Sequence, residues 1–342
     1  MPQIMLKPGL VRFILASIVV LFHVAKVVYL GTLAVYCFFI LSGYWISLMY
    51  DLKYAKLNSP VQEFYTSRLY RLFPVYYLFI ALTAVVTLIF DFDKVRLIAD
   101  MPLVKQLAFW LSNITLLGYN QLMYKPIAPA WSLDIEVQFY ILFPLVILLM
   151  GKRINRVVTL LGLALVAIII ETVFQNSFLH GTVLPYLVYF AIGISLNKDK
   201  IVFSRTTQLI CNLLFVAVLL VHYLSPGLFQ LVKDSETSYH LHFSQLASLL
   251  LVPLLAGSVR VKSNKLDRAL GDMSYVLYLS HWVWFIPYNH YIQNLTTVQR
   301  LPYMAAYLVL TFAMAYLFYR YYDRPIEERR RRLAEQKELS RV

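Results

Sequence analysis

The chain has 342 residues, 60% of them hydrophobic and only 14% charged, with a mean hydropathy of +0.65. A soluble domain carries about 25% charged residues, so this composition excludes an ordinary soluble enzyme and reads as a polytopic membrane protein. The formal net charge of +13 comes from Lys and Arg gathered in one set of loops, which argues against a nucleic-acid partner.

The N-terminus places Lys7 and Arg12 before an apolar run, as a signal peptide does. No small-residue cleavage site follows and a second span begins at once, so an uncleaved first helix is expected. Apolar runs long enough to approach the ~20 residues of a bilayer crossing occur at about 10–28, 31–50, 72–90, 131–150, 157–174, 182–196, 207–224, 244–258, 273–290 and 301–321. A further run at about 106–118 is short and carries Ser112 and Asn113 in its middle. Charge decides its status. If it dips in without crossing, Lys7, Arg12, Lys53, Lys56, Arg68 and Arg71 fall on the inside with every later cationic loop and the tail. Lys94, Arg96, Lys105, Lys125, Lys233 and Arg300 then lie outside, with Lys26 left near a helix end. Counting it as a crossing inverts every later loop and destroys the bias. The expected fold is therefore all-α and polytopic, with about ten transmembrane helices, one short re-entrant or interfacial segment, and both termini cytoplasmic. Residues 1–325 read as a single transmembrane domain and 326–342 as a charged cytoplasmic tail near anionic headgroups. Cys37 and Cys211 both sit in apolar runs and argue against a disulfide scaffold.

Ionisable groups within a span are candidates for function because burial is costly unless they are paired or wet. Eleven helical steps of about 100° bring Arg12 and His23 onto nearly the same face, roughly 16 Å apart along the axis. A neutral imidazole is tolerated at that depth and serves as a general base near neutral pH. Arg68 and Arg71, three apart beside Phe73-Pro74-Val75-Tyr76-Tyr77, offer paired guanidinium forks suited to phosphate. The plainer reading of that pair is positive-inside flanking. Ser132, Glu136 and Tyr140 recur at i, i+4 and i+8 in Trp131-Ser132-Leu133-Asp134-Ile135-Glu136, so they share a face. Glu136 counts to a depth near His23, where a carboxylate can orient the imidazole or hold a substrate hydroxyl. Asp134 reads more simply as stabilising a helix N-terminus. Ser274, Tyr278 and His281 form a polar stripe that lines either a cavity or another helix. The pair His240 and His242 suggests a metal, but no further ligand pattern accompanies it. Walker, nucleophile-elbow and dinucleotide fingerprints are missing from the sequence.

Taken together, Arg12 with His23, Phe38-Phe39-Ile40-Leu41-Ser42-Gly43-Tyr44, Arg68-Leu69-Tyr70-Arg71-Leu72-Phe73-Pro74, the Trp131–Tyr140 segment and Ser274 through His281 resemble the acyltransferase family 3 membrane proteins. That family includes many bacterial surface-polysaccharide O-acetyltransferases. The resemblance runs nearly the whole length in the right order. It implies an enzyme of the cytoplasmic (inner) membrane that takes an acyl group, most simply acetyl, from cytoplasmic acyl-CoA. The acceptor would be a hydroxyl of a cell-surface or lipid-linked glycan. It further implies His23 as catalytic base and Arg12, Arg68 and Arg71 as cations for the CoA phosphates or the acyl intermediate. Glu136 joins His23 as a catalytic candidate, and Ser42, Trp131, Ser132, Tyr140, Tyr278 and His281 as substrate-lining candidates. No permanently bound cofactor or metal is implied, and membrane lipids are the other partner. Two departures stand out: Gly31 and Ala34 replace a glycine pair, and Asp323-Arg324-Pro325 stands where many members have glutamate. No fused extracytoplasmic esterase-like domain is expected. The competing reading is a glycan or lipid exporter, which would need Gly/Pro-broken helices in matched halves.

Overall fold

Inside lipid only a helix or a closed barrel satisfies its own backbone polar groups. The computed structural model describes residues 6–25, 28–174, 178–233 and 238–339, and no strand occurs among the described residues. In chain order the helices are α1 (Pro8–Val24), α2 (Gly31–Leu52), α3 (Pro60–Phe90), α4 (Phe92–Ala99), α5 (Leu103–Thr115), α6 (Trp131–Leu149), α7 (Arg153–Val173) and α8 (Leu187–Lys198). They continue as α9 (Arg205–Leu224), α10 (Pro226–Lys233), α11 (Ser238–Leu250), α12 (Val252–Ser258), α13 (Lys265–Ile292), α14 (Thr297–Phe318) and α15 (Arg324–Leu339), the last two joined by a π-helical turn at Tyr319–Asp323.

Local chemistry sets these boundaries. Pro8 and Pro60 open α1 and α3, where their missing N–H costs nothing. Ser204 and Asn264 cap α9 and α13 by accepting from Thr207 N at 3.0 Å and Asp267 N at 2.9 Å. Thr296 and Gln299 form a capping box on α14.

Each expected apolar run meets a helix, the run at 10–28 reaching residues 26–27 outside the described ones, and among the described residues six helices are long and apolar enough to cross a bilayer. They are Gly31–Lys56, Pro60–Phe90, Ala128–Leu149, Arg153–Val173, Arg205–Leu224 and Thr297–Arg330, with a seventh if α11 and α12, bent by 45°, make one span. The rest differ from the sequence expectation. The first run gives a 17-residue helix, and the run at 182–196 divides into a 3₁₀ turn at Leu184–Tyr186 and the 12-residue α8. Twelve residues rise only about 18 Å against a hydrocarbon core of about 30 Å. Counting apolar residues cannot register such a break. The short run near 106–118 is α5, 13 residues long. It ends where Leu116 (φ 59°), fully buried, and Gly118 (φ 72°) turn the chain in left-handed conformations.

Two close helix crossings position the interior. A Cβ on Gly43 would lie 2.1 Å from the Phe190 carbonyl oxygen, and one on Gly193 2.0 Å from that of Ile40, so α2 and α8 touch backbone to backbone. A Cβ on Gly9 would lie 1.8 Å from the Asp267 carbonyl oxygen, while Leu10 N donates to Asp267 Oδ1 at 2.8 Å. That contact fixes the start of α1 against α13. Further along, His23 meets His281, so the two helices run parallel.

Asp134 is fully buried and accepts from Gly118 N at 3.2 Å, Asn120 N at 2.7 Å and Gln138 Nε2 at 2.7 Å. Gln138 Oε1 in turn accepts from Val183 N at 2.9 Å. The aspartate therefore pins the Gly118–Asn120 turn to α6, and through Gln138 the segment at Val183, rather than stabilising only its own helix start.

Candidate active site

Five helices converge on a cavity of about 180 Å³. Helix α1 supplies Arg12, α2 supplies Phe38, Phe39 and Ser42, and α3 supplies Arg68 and Arg71. Helix α6 supplies Ser132, Glu136 and Tyr140, and α13 supplies Ser274, Tyr275 and Tyr278. The i, i+4, i+8 face of α6 thus points into one space, as its spacing requires.

The polar groups there divide by partner. Ser42 Oγ and the Tyr140 hydroxyl each donate to Glu136 Oε1 at 2.7 Å. Both bonds fall on one oxygen, so Oε2 takes no hydrogen bond from the described residues. Ser132 Oγ and the Tyr278 hydroxyl are 2.8 Å apart, and both lie within reach of the Pro129 carbonyl, at 3.2 and 2.8 Å.

Among the arginines the split is sharper. Arg71 is held by Asp272 at 3.4 Å and Asp323 at 3.5 Å, with its guanidinium 5.7 Å above the Tyr275 ring. Tyr275 itself donates to the Leu72 carbonyl at 2.8 Å. Arg12 and Arg68 face the same cavity with no carboxylate in salt-bridge range among the described residues. Arg68 Nε is buried without a hydrogen-bond partner. Two cations thus face the cavity without an acidic partner among the described residues.

His23 stands apart from this cavity. Its ring stacks on His281, centroids 5.4 Å apart and planes at 28°, with Trp282 edge-on at 5.2 Å and Phe285 at 6.1 Å. His281 is fully buried; its Nδ1 lies 3.2 Å from the Leu277 carbonyl and its Nε2 has no partner. Tyr278 bridges the two regions: it lines the cavity, and its ring lies 6.2 Å from that of His281.

The sequence candidates are therefore sorted by place. Arg12, Ser42, Arg68, Arg71, Ser132, Glu136, Tyr140 and Tyr278 share the cavity. His23 and His281 form an adjoining pair. Trp131 lies elsewhere, packed against Phe39 at 6.3 Å and Tyr186 at 5.7 Å. Glu136 does not orient His23: its partners are Ser42 and Tyr140, whereas the rings around His23 belong to Phe22, His281, Trp282 and Phe285. Asp272, Tyr275 and Asp323 were not singled out from sequence. Two signals were available: Tyr275 lies within the Ser274–His281 motif, and Asp323-Arg324-Pro325 places an acid beside the last apolar run.

An acyltransferase domain matches residues 7–320. The chain belongs to this acyltransferase family. Within it, the chain is 30% identical to O-acetyltransferase OatA of several Staphylococcus aureus strains, over 94% of its own length and 57% of theirs. A second Staphylococcus aureus protein, also bearing an O-acetyltransferase name, is 24% identical over the same shares, and a Haemophilus influenzae protein is 28% identical over 44% of the chain and 65% of its own length. The chain thus spans little more than half the length of the staphylococcal relatives. No solved structure matches it significantly. Together with its apolar helices, family membership makes it an integral membrane protein.

Proposed function

We propose that this protein is a membrane O-acyltransferase that moves an acyl group, most simply acetyl, from cytoplasmic acyl-CoA to a hydroxyl of a cell-surface or lipid-linked glycan. The observation that carries the reading is the order of groups along the parallel pair α1 and α13. Asp272 with Arg71 comes first, then the cavity with Arg12 and Tyr278, then His23 on His281. Anion-binding cations and a candidate base thus occupy successive levels of one path.

Acyl-CoA cannot cross a bilayer, so its phosphates need cations at the cytoplasmic end. Arg12 and Arg68 supply them, and the planar guanidinium suits phosphate. The acceptor hydroxyl is a poor nucleophile. His23 takes its proton as the oxygen attacks the thioester carbonyl, and the C–S bond then breaks to release the CoA thiolate, which is protonated on leaving. Tyr278 and Ser132 line the cavity and can turn a hydroxyl proton from the Pro129 carbonyl to the carbonyl oxygen of the tetrahedral state.

The parallel packing of α1 and α13 also fits the ten-span topology, whose cytoplasmic termini rest on the excess of Lys and Arg in the inner loops. Seven crossings between them leave the two helices parallel, whereas counting α5 as an eighth would make them antiparallel. Placement in the bacterial cytoplasmic membrane follows from the same donor argument. The test is the mass of surface glycan from bacteria with and without this protein. A loss of one acetyl mass per modified sugar supports the assignment, and identical spectra contradict it.

A further inference from the structure

The outer ends of α3 and α13 stand together, with the Phe90 ring 5.7 Å from that of His290 and 6.0 Å from that of Tyr291. Helix α5 ends well below that level. The Tyr76 and Tyr77 hydroxyls donate to its Asn113 and Ile114 carbonyls at 3.0 and 2.6 Å, and thirteen helical steps, roughly 20 Å, separate Tyr77 from Phe90. Helix α6 begins as deep, because Tyr278 donates to the Pro129 carbonyl at 2.8 Å fourteen steps short of Ile292. Non-helical backbone at such a depth is tolerated only where protein buries it or it lines a water-filled space. Gln121 and Met123 in the connecting segment are exposed, so they face a wet recess.

A second cavity, of about 270 Å³, occupies this recess. On α5, Leu103, Leu107, Trp110, Leu111 and Ile114 form an exposed apolar stripe suited to lipid, whereas Lys105 and Phe109 lie on the opposite side and line the cavity. Gln121 and Tyr124 line it from the facing segment, and the Phe109 and Tyr124 rings are near-parallel, 6.4 Å apart with planes at 11°. The inner end adjoins the catalytic cavity: Asn120 N is held by Asp134, two residues along α6 from Ser132.

We infer that this second cavity is the acceptor subsite and takes a sugar ring of the extracytoplasmic glycan. A pyranose has a face of C–H bonds and a rim of hydroxyls. Aromatic rings receive the first. The Lys105 ammonium donates to the second, and Gln121, whose Nε2 is held on the Phe178 carbonyl at 2.9 Å, has its Oε1 to accept from it. A lipid chain does not suit these walls, because it would desolvate the ammonium and the amide without offering a partner. Acceptor and acyl-CoA then reach the catalytic cavity from opposite sides.

This inference rests on the proposed topology and glycan acceptor, so its test has an arm free of acyl transfer. Met123→Cys, in a Cys211→Ser background that leaves only the buried Cys37, meets a membrane-impermeant maleimide in right-side-out vesicles. The probe is surface polysaccharide extracted from bacteria lacking this protein. Labelling proceeds from outside, and the polysaccharide slows it severalfold. In the second arm, protein in nanodiscs transfers acetyl from acetyl-CoA to the same polysaccharide. Tyr124→Ala raises KM for polysaccharide about fivefold, the order of one aromatic contact, with kcat and KM for acetyl-CoA unchanged. Tyr124→Phe keeps the ring and the wild-type KM. Labelling confined to inside-out vesicles, unslowed labelling in a protein that does acetylate the polysaccharide, or an unchanged KM in Tyr124→Ala overturns the subsite. Slowed labelling in a protein that takes nothing from acetyl-CoA upholds the subsite and overturns the donor assignment. Neither slowing nor transfer overturns the glycan acceptor and the subsite together.

Discussion

His23 and His281 stack with ring centroids 5.4 Å apart, and the buried Nε2 of His281 has no hydrogen-bond partner. An orphaned ring nitrogen in an apolar setting costs about 1–3 kcal/mol. Packing alone does not explain it, because phenylalanine would fill the same space without that cost. His281→Phe keeps the stack and the volume. It is expected to lower kcat by about tenfold, in the range of lost acid–base assistance, while leaving KM for acetyl-CoA and thermal stability nearly unchanged. A Tm rise with full activity would make His281 a packing residue.

Arg68 and Arg71 are expected to separate cleanly. Arg68→Ala removes a cation without a carboxylate partner, so KM for acyl-CoA rises about tenfold, the effect of one charge-assisted contact, and Tm holds. Arg71→Ala leaves Asp272 and Asp323 without their cation. Breaking one side of such a partly buried cluster costs ~3 kcal/mol, so yield and Tm fall before kinetics can be compared. Detergent thermal shift beside steady-state assays distinguishes the two. Equal Tm losses in both variants would contradict the division.

Gly43 tests the packing beneath the site. Its replacement by alanine drives a methyl group against the Phe190 carbonyl, 2.1 Å away by geometry. Overpacking of that kind costs about 1–3 kcal/mol, and here it also moves Ser42 off Glu136. Gly43→Ala therefore lowers Tm and activity together, whereas Ser42→Ala lowers activity with little change in Tm.

A pH effect is expected at the α7–α8 boundary. The Asp199 carboxyl, hydrogen-bonded by the Arg156 guanidinium, titrates below the ordinary carboxylate range. Its contribution to stability is present above the unfolded value of about 3.9 and is lost as pH falls through the lower folded value. Tm measured from pH 7 down to strongly acid conditions should fall less steeply at the acid end for Asp199→Asn than for wild type, starting from a lower plateau. Parallel curves would remove Asp199 from the acid limb.

Much of the site is legible in the sequence, where spacing along one helix decides it. The face of Ser132, Glu136 and Tyr140 and the pairing of Arg68 with Arg71 follow from helical periodicity alone. What periodicity cannot give is which helix faces which. Arg71 finds Asp272 and Asp323 some two hundred residues and more away, and only the packing of α3, α13 and the π-helical turn joins them. Glu136 and His23 counted to similar depths, yet Glu136 faces the cavity with Arg12 while His23 lies a level further along α1 with His281, because counting apolar residues fixes neither the true edge of a span nor the helix it packs against. Trp131 was a site candidate by family resemblance, and at the start of α6 it packs on Tyr186 and on Phe39, itself a cavity-lining residue. Span number was blurred for a related reason: α8 is short and α11–α12 bent, and apolar composition is blind to both.

The central claim is that His23 removes the acceptor proton at the end of a path that begins with Arg12 and Arg68. The most direct measurement is transfer of radiolabelled acetyl from acetyl-CoA to glycan acceptor by nanodisc-reconstituted protein, wild type against His23→Ala. Helical content and Tm are checked in the same samples. The account predicts transfer by the wild type and at least a hundredfold loss in the variant, the order of lost general-base catalysis, with folding and acetyl-CoA binding retained. Transfer by His23→Ala at the wild-type rate would contradict it.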